Sequence, residues 1–141
     1  MIVLDTNVVS ETMRPQPHAS VVAWLDRLDP GDAYLTSISA AELRLGVELL
    51  PDSARRRQLG EQVDGLLGVE FRGRVLAFDA ASPLHYAGIV AGRRRAGRPI
   101  GMADAQIAAV CRQHGCGLAT RNLSDFDDVG VDVVDPWANP A

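Results

Sequence analysis

Apolar residues along this chain follow two alternating rhythms. Short continuous runs rich in β-branched residues lie at positions 1–4, 33–36, 74–78, 117–120 and 131–134. Runs of that length bounded by turn residues are buried strands. Between them, apolar residues recur at three- and four-residue spacing, as at Val21, Val22, Leu25 and Leu28. That period predicts helices over 8–13, 18–28, 40–50, 53–67, 84–96 and about 100–114. Pro15 and Pro17, the stretch Asp29-Pro30-Gly31-Asp32, and positions 68–73 mark loops. Asp52-Ser53 and Ser82-Pro83 carry helix-start chemistry, and Ser39 and Glu42 stand at capping-box spacing. Positions 136–140 form a tail. Strands alternate with helices throughout, which predicts an α/β fold. The expected architecture is a single domain over 1–141, a mainly parallel five-stranded twisted sheet with helices on both faces, and 131–134 at an edge.

Composition narrows the chemistry. The 141 residues can bury one sizeable core, and the balance of 47% hydrophobic and 23% charged residues is that of a globular protein. No apolar run is long enough to cross a bilayer and no leader-like stretch precedes Asp5, so a cytoplasmic protein is expected. Cys111 and Cys116 have no partners at metal-ligand spacing and read as small buried residues. The sequence contains no lysine; all 14 basic residues are arginines. A Walker phosphate loop, a lysine-assisted phospho-aspartate and Schiff-base chemistry are therefore disfavoured or excluded.

The acidic residues are more informative. Asp5 ends the first strand, at the sheet edge where open α/β sheets carry their working groups. Asp125 follows the fourth strand, and Glu42 and Asp104 stand in the opening turns of helices that start at that same edge. Each has a local explanation: Asp5 and Asp125 as caps, Glu42 in its capping box, Asp104 complementing a helix dipole. Local explanations do not account for convergence. Gathered carboxylates repel and raise one another's pKa unless a cation joins them. An oxygen-only donor set selects Mg²⁺, with Mn²⁺ as the alternative, and such a centre hydrolyses phosphodiesters. Arg93, Arg94, Arg95 and Arg98 complement the end of a helix dipole. They also suit a phosphate backbone, which makes them candidate RNA contacts. His18, His85 and the Arg55–Arg57 run read as solvated and receive no role.

Four motifs together resemble the PIN domain. They are Ile2-Val3-Leu4-Asp5-Thr6-Asn7; Ser39-x-x-Glu42-Leu43; Arg98-Pro99-Ile100-Gly101-x-x-Asp104-x-x-Ile107-Ala108-Ala109; and Thr120-Arg121-Asn122-x-x-Asp125-Phe126. Arg14-Pro15-Gln16-Pro17, Ala41-Glu42-Leu43-Arg44-Leu45-Gly46 and Pro136-Trp137 make the chain similar to VapC toxins, above all the FitB branch. The resemblance implies a Mg²⁺-dependent endoribonuclease toxin of a type II toxin–antitoxin pair. It also implies a homodimer and inhibition by a small DNA-binding antitoxin of the VapB/FitA kind. By motif, Asp5, Glu42 and Asp104 would be metal ligands, with Thr6, Asn7, Thr120, Arg121 and Asn122 in support. The fourth acidic position departs: some relatives have Asp where this chain has Asn122, and Asp125 is the carboxylate available. A flexible single strand or loop of RNA would reach such a recessed site. The alternative function is a weakly catalytic, dimerising partner of a DNA-binding antitoxin in an autoregulatory complex.

Overall fold

Alternate residues of each strand feed two separate cores. Val3 and Leu118 bury on one face of the sheet, Leu4 and Ala119 on the other, as the period of two requires. The computed structural model describes residues 1–138; Asn139 and Pro140 of the expected tail lie outside the described residues. Five strands, β1 Ile2–Leu4, β2 Ala33–Thr36, β3 Val75–Leu76, β4 Gly117–Ala119 and β5 Val133–Val134, form one sheet in the order β3-β2-β1-β4-β5. Every neighbouring pair is parallel. The chain builds outward from β1 to β2 and β3, then crosses back to place β4 and β5 on the other side. The crevice between β1 and β4 at their carboxyl ends is thus the topological switch point.

Helices cover both faces. Helices α1 Thr6–Thr12, α2 Ala19–Asp26, α3 Ser37–Glu48 and α4 Ala54–Gly65 contribute Val8, Val9, Val21, Trp24, Leu43 and Val63 to the core around Leu4. Helices α5 Ser82–Arg95 and α6 Met102–His114 pack along each other and cover Val3 and Leu118. In α6 the alanines Ala105, Ala108 and Ala109 are fully buried, and their small side chains let α6 lie close to the sheet. Cys111 and Cys116 are buried free thiols, as their isolation in the sequence implied. Among the described residues, no helix is long and apolar enough to cross a membrane.

The sheet and its helical layers agree with the sequence pattern; several helix starts do not. Strand β2 runs straight into α3, so Thr36 is the cap, its hydroxyl accepting from Ser39 N–H at 3.2 Å. The Ser39–Glu42 capping box is therefore not formed, and Glu42 falls in the second turn. Ser82 is itself the first residue of α5, its hydroxyl accepting from Asp79 N–H and donating to Gln113 Oε1. The expected loop at 68–73 is shorter, because a π-helical turn, Leu66–Glu70, extends α4. His18 is no idle loop residue: its Nδ1 caps α2 by accepting from Ser20 N–H. At Ser53 the helix-start expectation agrees with the structure.

Candidate active site

Asp5 is the single residue between β1 and α1. Its N–H extends the ladder to Ala119 O at 2.9 Å, and its Oδ1 caps α1 by accepting from Thr6 N–H at 2.8 Å. The capping explanation thus accounts for one oxygen only. The other, Oδ2, accepts from the Thr120 hydroxyl at 2.7 Å and from Asn7 Nδ2 at 3.4 Å. Asp5 is 5% exposed. Burial raises its pKa more than the bonds from Thr120 and Thr6 lower it, and the charge of Asp125 raises it further.

Parallel register puts Ala119 beside Leu4, so the turns after β1 and β4 lie side by side. They are stitched together: Asn7 Nδ2 reaches Thr120 Oγ1 at 3.3 Å, Arg121 N–H donates to Asn7 Oδ1 at 3.4 Å, and Asn122 N–H donates to Thr120 Oγ1 at 3.1 Å. On the other side Thr6 Oγ1 lies 2.8 Å from Glu42 Oε1 and 2.9 Å from Ser39 Oγ. One hydroxyl carries one proton. Thr6 donating to the carboxylate leaves the buried Ser39 hydroxyl to donate to Thr6. Thr6 and Ser39 thereby tether Glu42 of α3 to the end of β1.

Asp104 is the third residue of α6, after the cap residue Gly101. Its pKa is pushed up to about 6, chiefly by burial, then by the negative charges of Asp5, Asp125 and Glu42, with Arg93 opposing. The sheet edge therefore does gather all four carboxylates within electrostatic reach. They form an open cluster: among the described residues no three His, Cys, Asp or Glu side chains stand close enough to enclose an ion. The donor chemistry still fits Mg²⁺, which keeps several waters and needs only one or two direct carboxylates. Asp125 lies on a 3₁₀ turn, Leu123–Phe126, in which Asp125 N–H bonds Asn122 O at 3.1 Å. Asn122 and Asp125 so occupy one helical turn.

The arginines divide. Arg93 is buried, donating to Arg98 O at 2.6 Å and to Asp125 O and Asp127 O at 2.9 Å each. It is not a surface contact for RNA, because its guanidinium is spent on fixing the turn that carries Asp125. Arg98 pairs with Asp127 and Asp128. Arg94 and Arg95 are exposed. The Arg121 guanidinium lies over the Trp137 ring, 5.1 Å from its centroid. Sequence reasoning also missed Glu11, which is buried at the end of α1 and accepts from His18 N–H and Arg14. Burial pushes its pKa up, but those bonds outweigh it and hold the carboxyl below its usual range. A charged residue in line with Val8 on the inner face of α1 was the available signal. Beside the cluster, a groove of about 740 Å³ runs between α1, α3 and α4. It starts at Thr6 and Glu42 and includes Met13, Leu43, Leu59 and Val63 in its lining.

A parallel sheet whose order reverses at β1, with carboxylates gathered over the reversal, defines an α/β domain with an acidic centre at the switch point. The PIN domain profile matches residues 2–132, and the chain belongs to the PIN domain family. It is 44% identical over 137 residues to Toxin FitB of Neisseria gonorrhoeae, covering 97% of this chain and 99% of that one. It is 40% identical over 137 residues to VapC ribonuclease Y4jK of Sinorhizobium fredii, covering 97% and 98%. Among solved structures it is similar to a chain of FitAB bound to an IR36 DNA fragment, with TM-score 0.93, 42% identity and coverage of 100% and 99%. It is also similar to a chain of DNA-bound VapBC from Salmonella typhimurium, with TM-score 0.77, 26% identity and coverage of 96% and 97%.

Proposed function

We propose that this chain is a Mg²⁺-dependent endoribonuclease, the toxin half of a type II toxin–antitoxin pair. The observation that carries the reading is the gathering of Asp5, Glu42, Asp104 and Asp125 at the switch point, where burial and the charges of the other three raise Asp104 to about 6. A fold that gathers such charges without neutralising them is built to receive a cation. Asp5 and Asp104 would hold Mg²⁺ (or Mn²⁺) directly, Glu42 directly or through water, and Asp125 would add charge from its turn. When bound, the ion would supply Lewis acidity and charge neutralisation at phosphorus.

The chain's own groups do the positioning. Thr6 N–H and the Thr120 hydroxyl fix both oxygens of Asp5, and Thr6 fixes one oxygen of Glu42. A carboxylate of the cluster takes the proton of the attacking water, which forms the new P–O bond as the bond to the displaced ribose oxygen breaks. Arg121, one residue beyond Thr120, neutralises charge on that oxygen. RNA as substrate is supported by the ribonuclease relative.

The toxin–antitoxin neighbours, solved bound to DNA, support a DNA-binding antitoxin as partner, and we expect the toxin itself to be a homodimer. An apolar antitoxin helix fits the groove between α1, α3 and α4, and an arginine beyond it would reach the carboxylates at the Glu42 end. Light scattering at micromolar concentration should report the dimer; a monomer contradicts it. The DNA-bound state of the solved neighbours also favours the second reading, a weakly catalytic partner in an autoregulatory complex. Incubating the isolated protein with single-stranded RNA in Mg²⁺ or EDTA, beside Asp104→Asn, separates the two. Cleavage that needs Mg²⁺ and is lost in the variant supports the enzyme. No cleavage by the wild type, with DNA binding by the complex intact, supports the second reading.

A further inference from the structure

We infer that Trp137 is a positioning residue that keeps Arg121 out of the carboxylate cluster and presents its guanidinium to the RNA backbone. The inference rests on the ribonuclease reading and adds a residue to it.

Arg121 stands in an unusual place for a free cation. It follows Thr120, whose hydroxyl bonds Asp5, and its own N–H is bonded to Asn7 in the turn after β1. Four carboxylates gather at that edge, and bidentate pairing with one of them is the strong interaction open to an arginine there. Such a pair would neutralise the charge that a cation must meet. Among the described residues, Arg121 forms no ion pair; its guanidinium lies over the Trp137 ring at 5.1 Å from the centroid. Among the described residues its side-chain nitrogens make no hydrogen bond, so the ring holds the cation by its charge and leaves its five N–H donors for another acceptor.

The ring is itself anchored. Trp137 packs against the core around Leu4, its backbone N–H donates to Asp135 Oδ1 at 2.9 Å, and Pro136 beside it is buried. Indole is also the best of the aromatic faces for a cation. Of the arginines on and after α5, Arg93 is engaged by loop carbonyls and Arg98 by Asp127 and Asp128. An oriented guanidinium with unspent donors, next to an anionic centre it does not enter, fits a phosphate group of a single strand.

The test uses the full chain and two readouts that need no turnover. Anisotropy of a labelled single-stranded RNA in EDTA reports phosphate contact; calorimetric titration of Mn²⁺ without RNA reports the carboxylates. Arg121→Gln should weaken RNA binding about tenfold and leave Mn²⁺ affinity unchanged. Trp137→Leu should weaken RNA binding by about five- to tenfold and also lower Mn²⁺ affinity by several-fold, as Arg121 falls onto the carboxylates. Adding Arg121→Gln to Trp137→Leu should restore Mn²⁺ affinity but not RNA binding, and Trp137→Phe should retain most of both. The inference is overturned by a Trp137→Leu variant that matches the wild type in both readouts, or by a Mn²⁺ defect that Arg121→Gln does not relieve. A wild type that neither binds nor cleaves RNA overturns the ribonuclease reading, and this inference with it.

Discussion

The Thr120 hydroxyl donates to Asp5 Oδ2 at 2.7 Å, across 115 positions of sequence, and joins the carboxyl ends of the two strands that flank the switch point. Thr120 is fully buried, so no water replaces this donor if it is removed. The bond both orients the carboxylate and favours its charged form, against the burial that opposes ionisation.

Thr120→Val keeps the shape and deletes the donor. A hydrogen bond to a charged group contributes about 1.5–3 kcal/mol, so Mg²⁺ affinity should fall by roughly 10- to 100-fold. Thr120→Ser should stay near the wild type. Metal titrations of the three proteins check this, and an unchanged affinity in Thr120→Val would remove the bond from the account of the site.

Asp104 gives a prediction with a definite pH window. Its folded-state pKa lies above the ordinary carboxyl value of 3.8. Its stabilising contribution is thus complete below about pH 4 and is lost as pH rises through about 6. The gap corresponds to at most about 3 kcal/mol, reduced by partial solvent screening. The metal-free Asp104→Asn variant should therefore melt higher than the wild type near pH 7.5, by roughly 3–10 °C, and show little gain near pH 4. Equal melting temperatures at the higher pH would mean that the charge is not strained.

Legibility in the sequence followed the range of the interaction. Strand runs, helical periods and the acidic residues at their ends are local, so Asp5, Glu42 and Asp104 and the parallel α/β fold were readable. Sheet order was not, because no local pattern states that β1 lies between β2 and β4. The capping box at Ser39 misled because β2 enters α3 without a linker, and Thr36 then takes the cap. Arg93 misled for a related reason. Its neighbours on α5 are exposed, but its own side chain turns inward to carbonyls 32 and 34 positions away. Spacing along the sequence does not report that direction.

The fourth acidic position can be tested by exchange. Asp125 lies within electrostatic reach of both Asp5 and Asp104, and Asn122 sits on the same turn. Asp125→Asn should raise the Mg²⁺ concentration for half-maximal cleavage by about threefold or more, because an ionic contribution at that range is modest in an exposed site. Asn122→Asp should lower it and partly rescue Asp125→Asn. If neither change moves the titration, the centre uses three carboxylates and Asp125 stands aside.

In the proposed reading the groove between α1, α3 and α4 receives the antitoxin helix, so a substitution there should affect inhibition and not catalysis. Leu59, on α4, lines the groove. Leu59→Asp should weaken binding of the antitoxin helix by about 2 kcal/mol or more, as buried apolar contact is lost and a charge is desolvated, while RNA cleavage by the isolated toxin persists. Retained inhibition would move the antitoxin to another surface.

The most direct test of the central claim is a carbon-13 NMR titration of the Asp104 carboxyl, with and without saturating Mg²⁺. If the switch-point carboxylates form a cation-holding centre, Asp104 titrates near 6 in the free protein, and Mg²⁺ brings it back to the ordinary carboxylate range or below. An Asp104 that titrates near 3.8 in the free protein and does not respond to Mg²⁺ would contradict the account.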